Sequence, residues 1–174
     1  MKLRLSIIAL ALSAAACSHT APEGATAEKT AATTPCSISI TPRELEANPL
    51  LLGAHMDDVE GIRCLLQHGA NPNAADDTFG NTLLMVAAGA DKTGAVTRLF
   101  LENTATNANI VNNSGNTALM YAARFGRTDA VRQLLARGVD LDTVNNEGQT
   151  ALSLAMKNGH TDIVQMLKTA GAKQ

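Results

Sequence analysis

The segment Gly80-Asn81-Thr82-Leu83-Leu84 returns as Gly115-Asn116-Thr117-Ala118-Leu119 and again as Gly148-Gln149-Thr150-Ala151-Leu152, at steps of 35 and 33 residues. An internal period near 33 residues marks stacked structural units, and it excludes a fold built around one closed core. The downstream half of each unit repeats as well: residues 62–70 correspond to 96–104, 131–139 and 164–172. One period upstream of the first intact motif, Asn48-Pro49-Leu50 falls on the Thr-x-Leu position. The chain therefore holds four copies, about 44–76, 77–111, 112–144 and 145–174, the first of them degenerate.

Composition says what the copies are made of. The 174 residues include three Phe, one Tyr and no Trp, yet 45% are hydrophobic. A core so poor in rings draws on Leu, Ala, Val, Ile and Met, which suits stacked helices better than a β-sandwich. Each copy reads as helix, turn, helix, loop. Thr82, Thr117 and Thr150 are placed to N-cap the first helix, and Asn48-Pro49 supplies the same start by a capping side chain and a first-turn proline. Small residues follow about one turn later (Ala87-Ala88, Ala122-Ala123, Ala155 and Gly53-Ala54), letting a second helix pack close. That helix carries an apolar stripe at i, i+3 and i+4: Val96, Leu99 and Phe100 in one copy, Val131, Leu134 and Leu135 in the next. Gly69, Gly138 and Gly171 end it in a left-handed cap, with Asn103 in that place in the second copy. Thr41-Pro42-Arg43-Glu44 has capping-box spacing, so a short helix is expected to cover the open end of the first copy. The fold class is all-α: a solenoid of about four helix-turn-helix repeats with an N-terminal helical cap, spanning residues 41–174.

These copies resemble the ankyrin repeat. The family pattern is Gly-x-Thr-Pro-Leu-His-x-Ala-Ala, then Gly-His, a Val-x-x-Leu-Leu stretch and Gly-Ala-Asp-x-Asn. It is met by Gly69-Ala70-Asn71-Pro72-Asn73 and by Gly159-His160-Thr161-Asp162-Ile163-Val164. The resemblance covers residues 44–174 and recurs in register four times. It departs at the motif Pro, kept only as Pro49, and at the motif His, replaced by Leu51, Met85, Met120 and Ser153. The hydrogen bonds that His makes in the family are therefore expected to be missing. Arg98 and Gln133 also stand at a usually apolar place on the second helix. The resemblance implies a protein-binding module whose contacts come from loop tips and exposed first-helix positions.

Residues 1–16 read as an export signal: Lys2 and Arg4 form a positive start, Leu5 to Leu12 a short apolar run, and Ser13-Ala14-Ala15-Ala16 a small-residue cleavage region. The apolar run is much shorter than the roughly 20 residues that span a bilayer. Cys17 follows directly, and the arrangement resembles the lipobox of bacterial lipoproteins, with Ala14 where that family usually has Leu. The resemblance implies that Cys17 becomes a diacylated N-terminus, and Ser18 after it implies the periplasmic face of the outer membrane. The alternative is plain Ala-x-Ala cleavage, which would release a soluble periplasmic protein. Residues 17–40 then read as the lipidated Cys and a flexible tether, because 18–34 are almost entirely Ala, Thr, Ser, Glu, Gly and Pro.

Three cysteines are an awkward number in an exported chain. Lipidation of Cys17 leaves Cys36 and Cys64, which an oxidising compartment would pair. The bond would tie the N-terminal cap to the second helix of the first copy, contributing about 3–4 kcal/mol for a loop of roughly 27 residues in the chain-entropy picture. The alternative is that Cys64 is a buried core thiol.

Candidate chemistry is sparse. A formal charge of −2 offers no basic face for nucleic acid. His55-x-Asp57-Asp58 could be drawn as a metal site, but acids at a helix end beside a turn are ordinarily solvated, so no metal is expected. His68 and His160 occupy loop and turn positions, and His19 lies in the tether. With no nucleophile elbow, zinc-binding helix motif or phosphate loop, neither catalysis nor a cofactor is expected.

Binding has visible carriers. Phe79 falls at a loop tip and Phe125 on a first helix with Arg124 beside it, and two rings placed there in so aromatic-poor a chain are good anchors. The alternative for Phe125 is packing against Tyr121. Around them Thr78, Asn81, Asn113, Ser114, Asn116, Asn146, Glu147, Lys157 and Asn158 form a polar rim, all expected on one concave face. The expected function is that of a monomeric, non-enzymatic module tethered in the bacterial periplasm, touching the membrane through its lipid anchor only and binding a protein partner. It would serve as an immunity protein neutralising a toxic effector, as an accessory to a stress enzyme such as a catalase, or as an envelope-structural lipoprotein.

Overall fold

The computed structural model describes residues 43–44 and 58–173, all within one compact unit. Among them run α1 (Val59–Gln67), α2 (Leu83–Ala90), α3 (Ala95–Glu102), α4 (Ala118–Arg124), α5 (Thr128–Ala136), α6 (Ala151–Lys157) and α7 (Thr161–Thr169). Arg43 and Glu44 are also helical, and the rest of that capping segment lies outside the described residues. So do Asn48, Pro49, Leu51, Gly53 and Ala54 of the first copy's first helix. The described residues form no strand, only an antiparallel bridge between Ala75 and Thr82 at the foot of a loop.

The helices lie in two rows. The first helices α2, α4 and α6 pack side by side, the second helices α1, α3, α5 and α7 do likewise, and each first helix packs on the second helix of its own copy. Ala87, Ala88, Ala122, Ala123 and Ala155 are fully buried, so small side chains set the close approach around the first row. Ile62, Val96, Leu99, Phe100, Val131, Leu134, Ile163 and Leu167 are buried in the second row, and the two sets join in one continuous core. Phe100 is thus the Phe that builds the core, leaving the other two for another use.

The caps follow the sequence. Thr82, Thr117 and Thr150 accept hydrogen bonds on Oγ1 from the backbone N–H of Met85 (3.3 Å), Met120 (3.3 Å) and Ser153 (3.2 Å). In the last copy the residue in the motif-His position makes hydrogen bonds of its own. Ser153 Oγ, standing in the His position, accepts from the Thr150 N–H at 2.9 Å and donates to its carbonyl at 3.0 Å, closing a capping box. Met85 and Met120, in the same position, are buried instead. Gly69, Gly138 and Gly171 sit at φ of 92°, 73° and 95°, as the left-handed cap requires. Asn103 does not share this conformation, which corrects the sequence reading. It lies at φ −75°, ψ 117°, and its Oδ1 accepts from the Ala105 N–H at 3.0 Å, turning the chain out through a side-chain-closed turn. α3 begins unusually too. Its N-cap is Gly94, which has no side chain, and buried Asp91 substitutes by accepting from the N–H groups of Thr93, Gly94, Val96 and Thr97 at 2.8–3.1 Å.

Candidate protein-binding face

The loop tips are built by one device used three times. Asp76 takes the N–H groups of Thr78, Phe79 and Asn81 on its carboxylate at 3.0, 2.6 and 2.8 Å. Asn112 Oδ1 takes those of Ser114 and Asn116, and Asn145 Oδ1 those of Glu147 and Gln149. An amide keeps a donor that a carboxylate lacks. Asn112 Nδ2 reaches Asn81 Oδ1 in the preceding tip at 2.8 Å, and Asn145 Nδ2 reaches Asn116 Oδ1 at 2.8 Å. The backbone repeats the ladder, with Asn113 N–H donating to Phe79 C=O at 2.9 Å and Asn146 N–H to Ser114 C=O at 3.0 Å. Burial alone would raise the Asp76 carboxyl, but the N–H groups of Phe79, Asn81 and Thr78 outweigh it and hold the group below the ordinary carboxylate value. The carboxylate is hidden by its own turn rather than by a thickness of protein, so those N–H groups decide its state.

The C-terminal ends of the first helices form the second part of the face. Phe125 is the C-cap of α4 and remains 48% exposed. Its ring lies 6.2 Å from that of Tyr121, and the Arg124 guanidinium carbon is 5.8 Å from its centroid, within cation–π range. Gly89 of α2 makes room: a Cβ there would stand 3.3 Å from Phe125 Cδ2 and 3.4 Å from Tyr121 Cδ1. Between the helices lies an apolar depression of about 230 Å³, lined by Asn81, Met85, Val86, Gly89, Ala90, Tyr121 and Phe125. Tyr121 ties it to the tips, since its hydroxyl donates to Asn81 Oδ1 at 2.8 Å. Burial raises the Tyr121 pKa above its usual value; nearby Arg124 opposes the shift, Asp76 adds to it, and the Asn112 hydrogen bond opposes it.

These positions sort the expected site. Phe79 is 56% exposed at its tip, and Thr78, Asn113, Ser114, Asn146, Glu147, Arg124, Lys157 and Asn158 are all exposed. Asn81 is not on the rim: it is buried, 9% exposed, and spends its side chain on Asn112 and Tyr121. Asn116 is half-buried as an acceptor for Asn145. The Phe125 ring packs on Tyr121 and Gly89, as its packing alternative has it, and stays half-exposed beside Arg124. Arg124, Phe125 and the depression are brought together; Phe79 does not line that depression, and it shares only the Asp76-centred tip with Asn81, which does.

Comparison with known proteins decides the family. The family model "Ankyrin repeats (3 copies)" matches residues 50–145 and again residues 90–174. The chain is an ankyrin-repeat protein. No curated protein matches it. Ankyrin repeats make it a protein–protein interaction module, and the exposed rings lie on the ankyrin tips and first-helix ends.

Two further exposed apolar residues adjoin the tips and were not singled out from the sequence. Val111 and Val144, 49% and 55% exposed, each stand immediately before the Asn that organises a tip. The signal was their 33-residue spacing, masked because isolated Val in a loop reads as an ordinary apolar residue. A larger groove of about 630 Å³ lies on the second row, lined by Thr128, Arg132, Leu135, Asp162, Gln165 and Met166 among others. It holds no nucleophile–base pair of the kind catalysis needs. Asp58, once drawn into a metal trio, N-caps α1 by accepting from the Gly61 N–H at 2.8 Å, while His55 and Asp57 lie outside the described residues. Among the described residues no three His, Cys, Asp or Glu side chains converge as a metal site. His160 serves the stack, with Nε2 3.1 Å from the Arg124 carbonyl. Among the described residues no helix is long and apolar enough to cross a membrane.

Proposed function

We propose that this chain is a non-enzymatic periplasmic lipoprotein that holds a protein partner on a concave face formed by its tips and first helices, and that the partner is a toxic effector it neutralises. The observation that carries the binding face is the exposure of Phe79 and Phe125 in a chain whose remaining Phe is wholly buried. Anchoring is supported by Lys2, Arg4, the apolar run and Cys17-Ser18 in lipobox order. Pairing of Cys36 with Cys64 is supported by the disulfide state of Cys64, half-buried on α1; Cys36 lies outside the described residues.

Affinity capture from envelope extract tests the reading, with the Phe79→Ala, Arg124→Ala, Phe125→Ala triple variant as control. A partner retained by wild type and lost by the variant is expected, and its expression in the periplasm should be toxic unless this chain is present. Capture of a catalase-type enzyme with no toxicity would replace immunity by an accessory role. Undiminished capture by a folded triple variant would remove the face itself. Cys17→Ser should release the protein from the detergent-extracted membrane fraction, and wild type in osmotic-shock fluid would reject the anchor. Two free thiols at Cys36 and Cys64 in protein isolated from the periplasm would end the pairing.

A further inference from the structure

We propose that the partner is recognised through an extended acidic segment carrying one apolar side chain, seated across the C-terminal ends of the first helices; the inference rests on the reading of this face as the partner-binding surface. The apolar anchor has a defined place. The depression between α2 and α4 is lined by Phe125 and Tyr121 from α4 and by Met85, Val86, Gly89 and Ala90 from α2, with Asn81 at the tip side. At about 230 Å³ it falls below the roughly 300–1,000 Å³ of small-ligand sites and suits a single aliphatic or aromatic side chain.

Charge selects what surrounds that anchor. Lys92 follows α2, Arg124 ends α4 and Lys157 ends α6, all three exposed. Among the described residues none of them pairs with a carboxylate. A cation in a last helical turn complements the helix dipole, which accounts for Arg124 and Lys157 one at a time. It does not account for Arg124 standing over the Phe125 ring that lines an open apolar depression. Of the exposed acids of the same copies, Asp77 and Glu147 sit in the tips, at the opposite ends of the first helices, Glu102 ends α3, and Asp140 and Asp142 follow α5; Asp91, beside Lys92, is buried and spent on the N–H groups that start α3. Asp129 and Asp162 stand in the first turns of α5 and α7, where an acid complements the helix dipole, and Asp129 is also engaged by Arg132. A segment crossing the helix C-termini therefore meets positive charge, although the chain as a whole is net negative.

Geometry sets the spacing. With the Arg124 guanidinium carbon 5.8 Å from the Phe125 centroid, a carboxylate on Arg124 and a side chain beyond the ring are on the order of 10 Å apart. That distance is about two to three residues of extended chain at roughly 3.3 Å each. Lys157 lies one helix further along, about 8–10 Å for packed helices, so a second carboxylate about three residues on would reach it.

The test is panning of a random nonapeptide display library on the full chain in detergent, beside Ala90→Leu, which fills the depression, and Arg124→Glu, which reverses the charge. Circular dichroism checks that each variant is folded. The expected result is a selected class with an apolar residue two to three positions from Asp or Glu. Its capture should fall about tenfold or more in either variant and weaken in high salt. Selected peptides that lose binding to Ala90→Leu but lack acids and ignore Arg124→Glu would overturn the inference and leave the face reading intact. Peptides indifferent to both variants and to Phe79→Ala with Phe125→Ala would overturn both. Failure to enrich any class would overturn the peptide inference, leaving a partner recognised only as a folded surface.

Discussion

The helical rows and the loop tips join the same copies by different chemistry. α4 lies between α2 and α6 on buried Ala122, Ala123, Leu119 and Met120, an apolar contact without direction. The tip at Asn112 meets its neighbours through amides, donating to Asn81 on one side and matched by Asn145 donating to Asn116 on the other. Apolar burial supplies most of the stacking energy but tolerates a slide; a hydrogen bond buried beside it costs dearly when mismatched and so fixes register. The proposed binding face inherits this division, because the tips that carry Phe79 are placed by the ladder and the helix ends that carry Phe125 by the core.

The comparison is broken most severely in the rows. Leu119 is 1% exposed at the centre of the stack, and Leu119→Ala should cost about 2–5 kcal/mol in chemical denaturation, lost transfer energy plus the cavity left behind. A loss no greater than that of a tip variant would show that the helical core does not dominate. Asn112→Asp attacks the tips with almost no change of shape. The carboxylate can still accept from Ser114 and Asn116, but it sets an oxygen against Asn81 Oδ1 where a donor stood 2.8 Å away. The expected cost is about 1–3 kcal/mol with helix content retained. Wild-type stability in Asn112→Asp would mean that the ladder is incidental to register.

The same division explains what could be read without coordinates. Leu84, Leu99, Leu119, Leu134, Leu152 and Leu167 are all buried, and three Thr caps hold, because periodicity and capping are local signals written within one helix. The Asn ladder joins residues 31 and 29 apart, a partnership that appears only once the copies are stacked. For that reason Asn81 reads as a rim residue in the sequence and proves to be buried. Asn103 fails differently: Asn tolerates the left-handed cap, but its side chain also closes turns, and here that local hydrogen bond prevails. Of the proposed binding face, the exposed rings could be singled out because they are rare, while the depression beside Gly89 and the exposure of Val111 and Val144 required the fold.

Acid sharpens the comparison, since the buried side chains that join the rows are apolar while the Asp76 tip is organised by a carboxylate. Asp76 has a folded-state pKa below its ordinary 3.8, so its contribution is full above that unfolded value and is lost as pH falls through the lower folded one. Asp76→Asn would keep one acceptor and turn an amide nitrogen toward the Asn81 N–H. At neutral pH it should be less stable than wild type by about 1 kcal/mol. The gap should hold down to about pH 5 and close as the medium becomes more acid than the ordinary carboxylate range. A gap independent of pH would mean that the carboxylate is not what organises the tip.

The smallest expected effect falls on Phe79, where stability and binding should separate. Its ring is 56% exposed, while the tip around it is held by backbone groups, the Phe79 N–H on Asp76 and the Phe79 carbonyl accepting from Asn113. Removing the ring leaves each of those hydrogen bonds in place, so Phe79→Ala should change stability by less than about 0.5 kcal/mol. Under the proposed function that ring is reserved for a contact outside the chain. Partner capture should accordingly fall in Phe79→Ala while its denaturation curve overlays that of wild type. A clear loss of stability would instead make Phe79 a strut of the tip, and the binding face would contract to Arg124, Phe125 and the depression between α2 and α4.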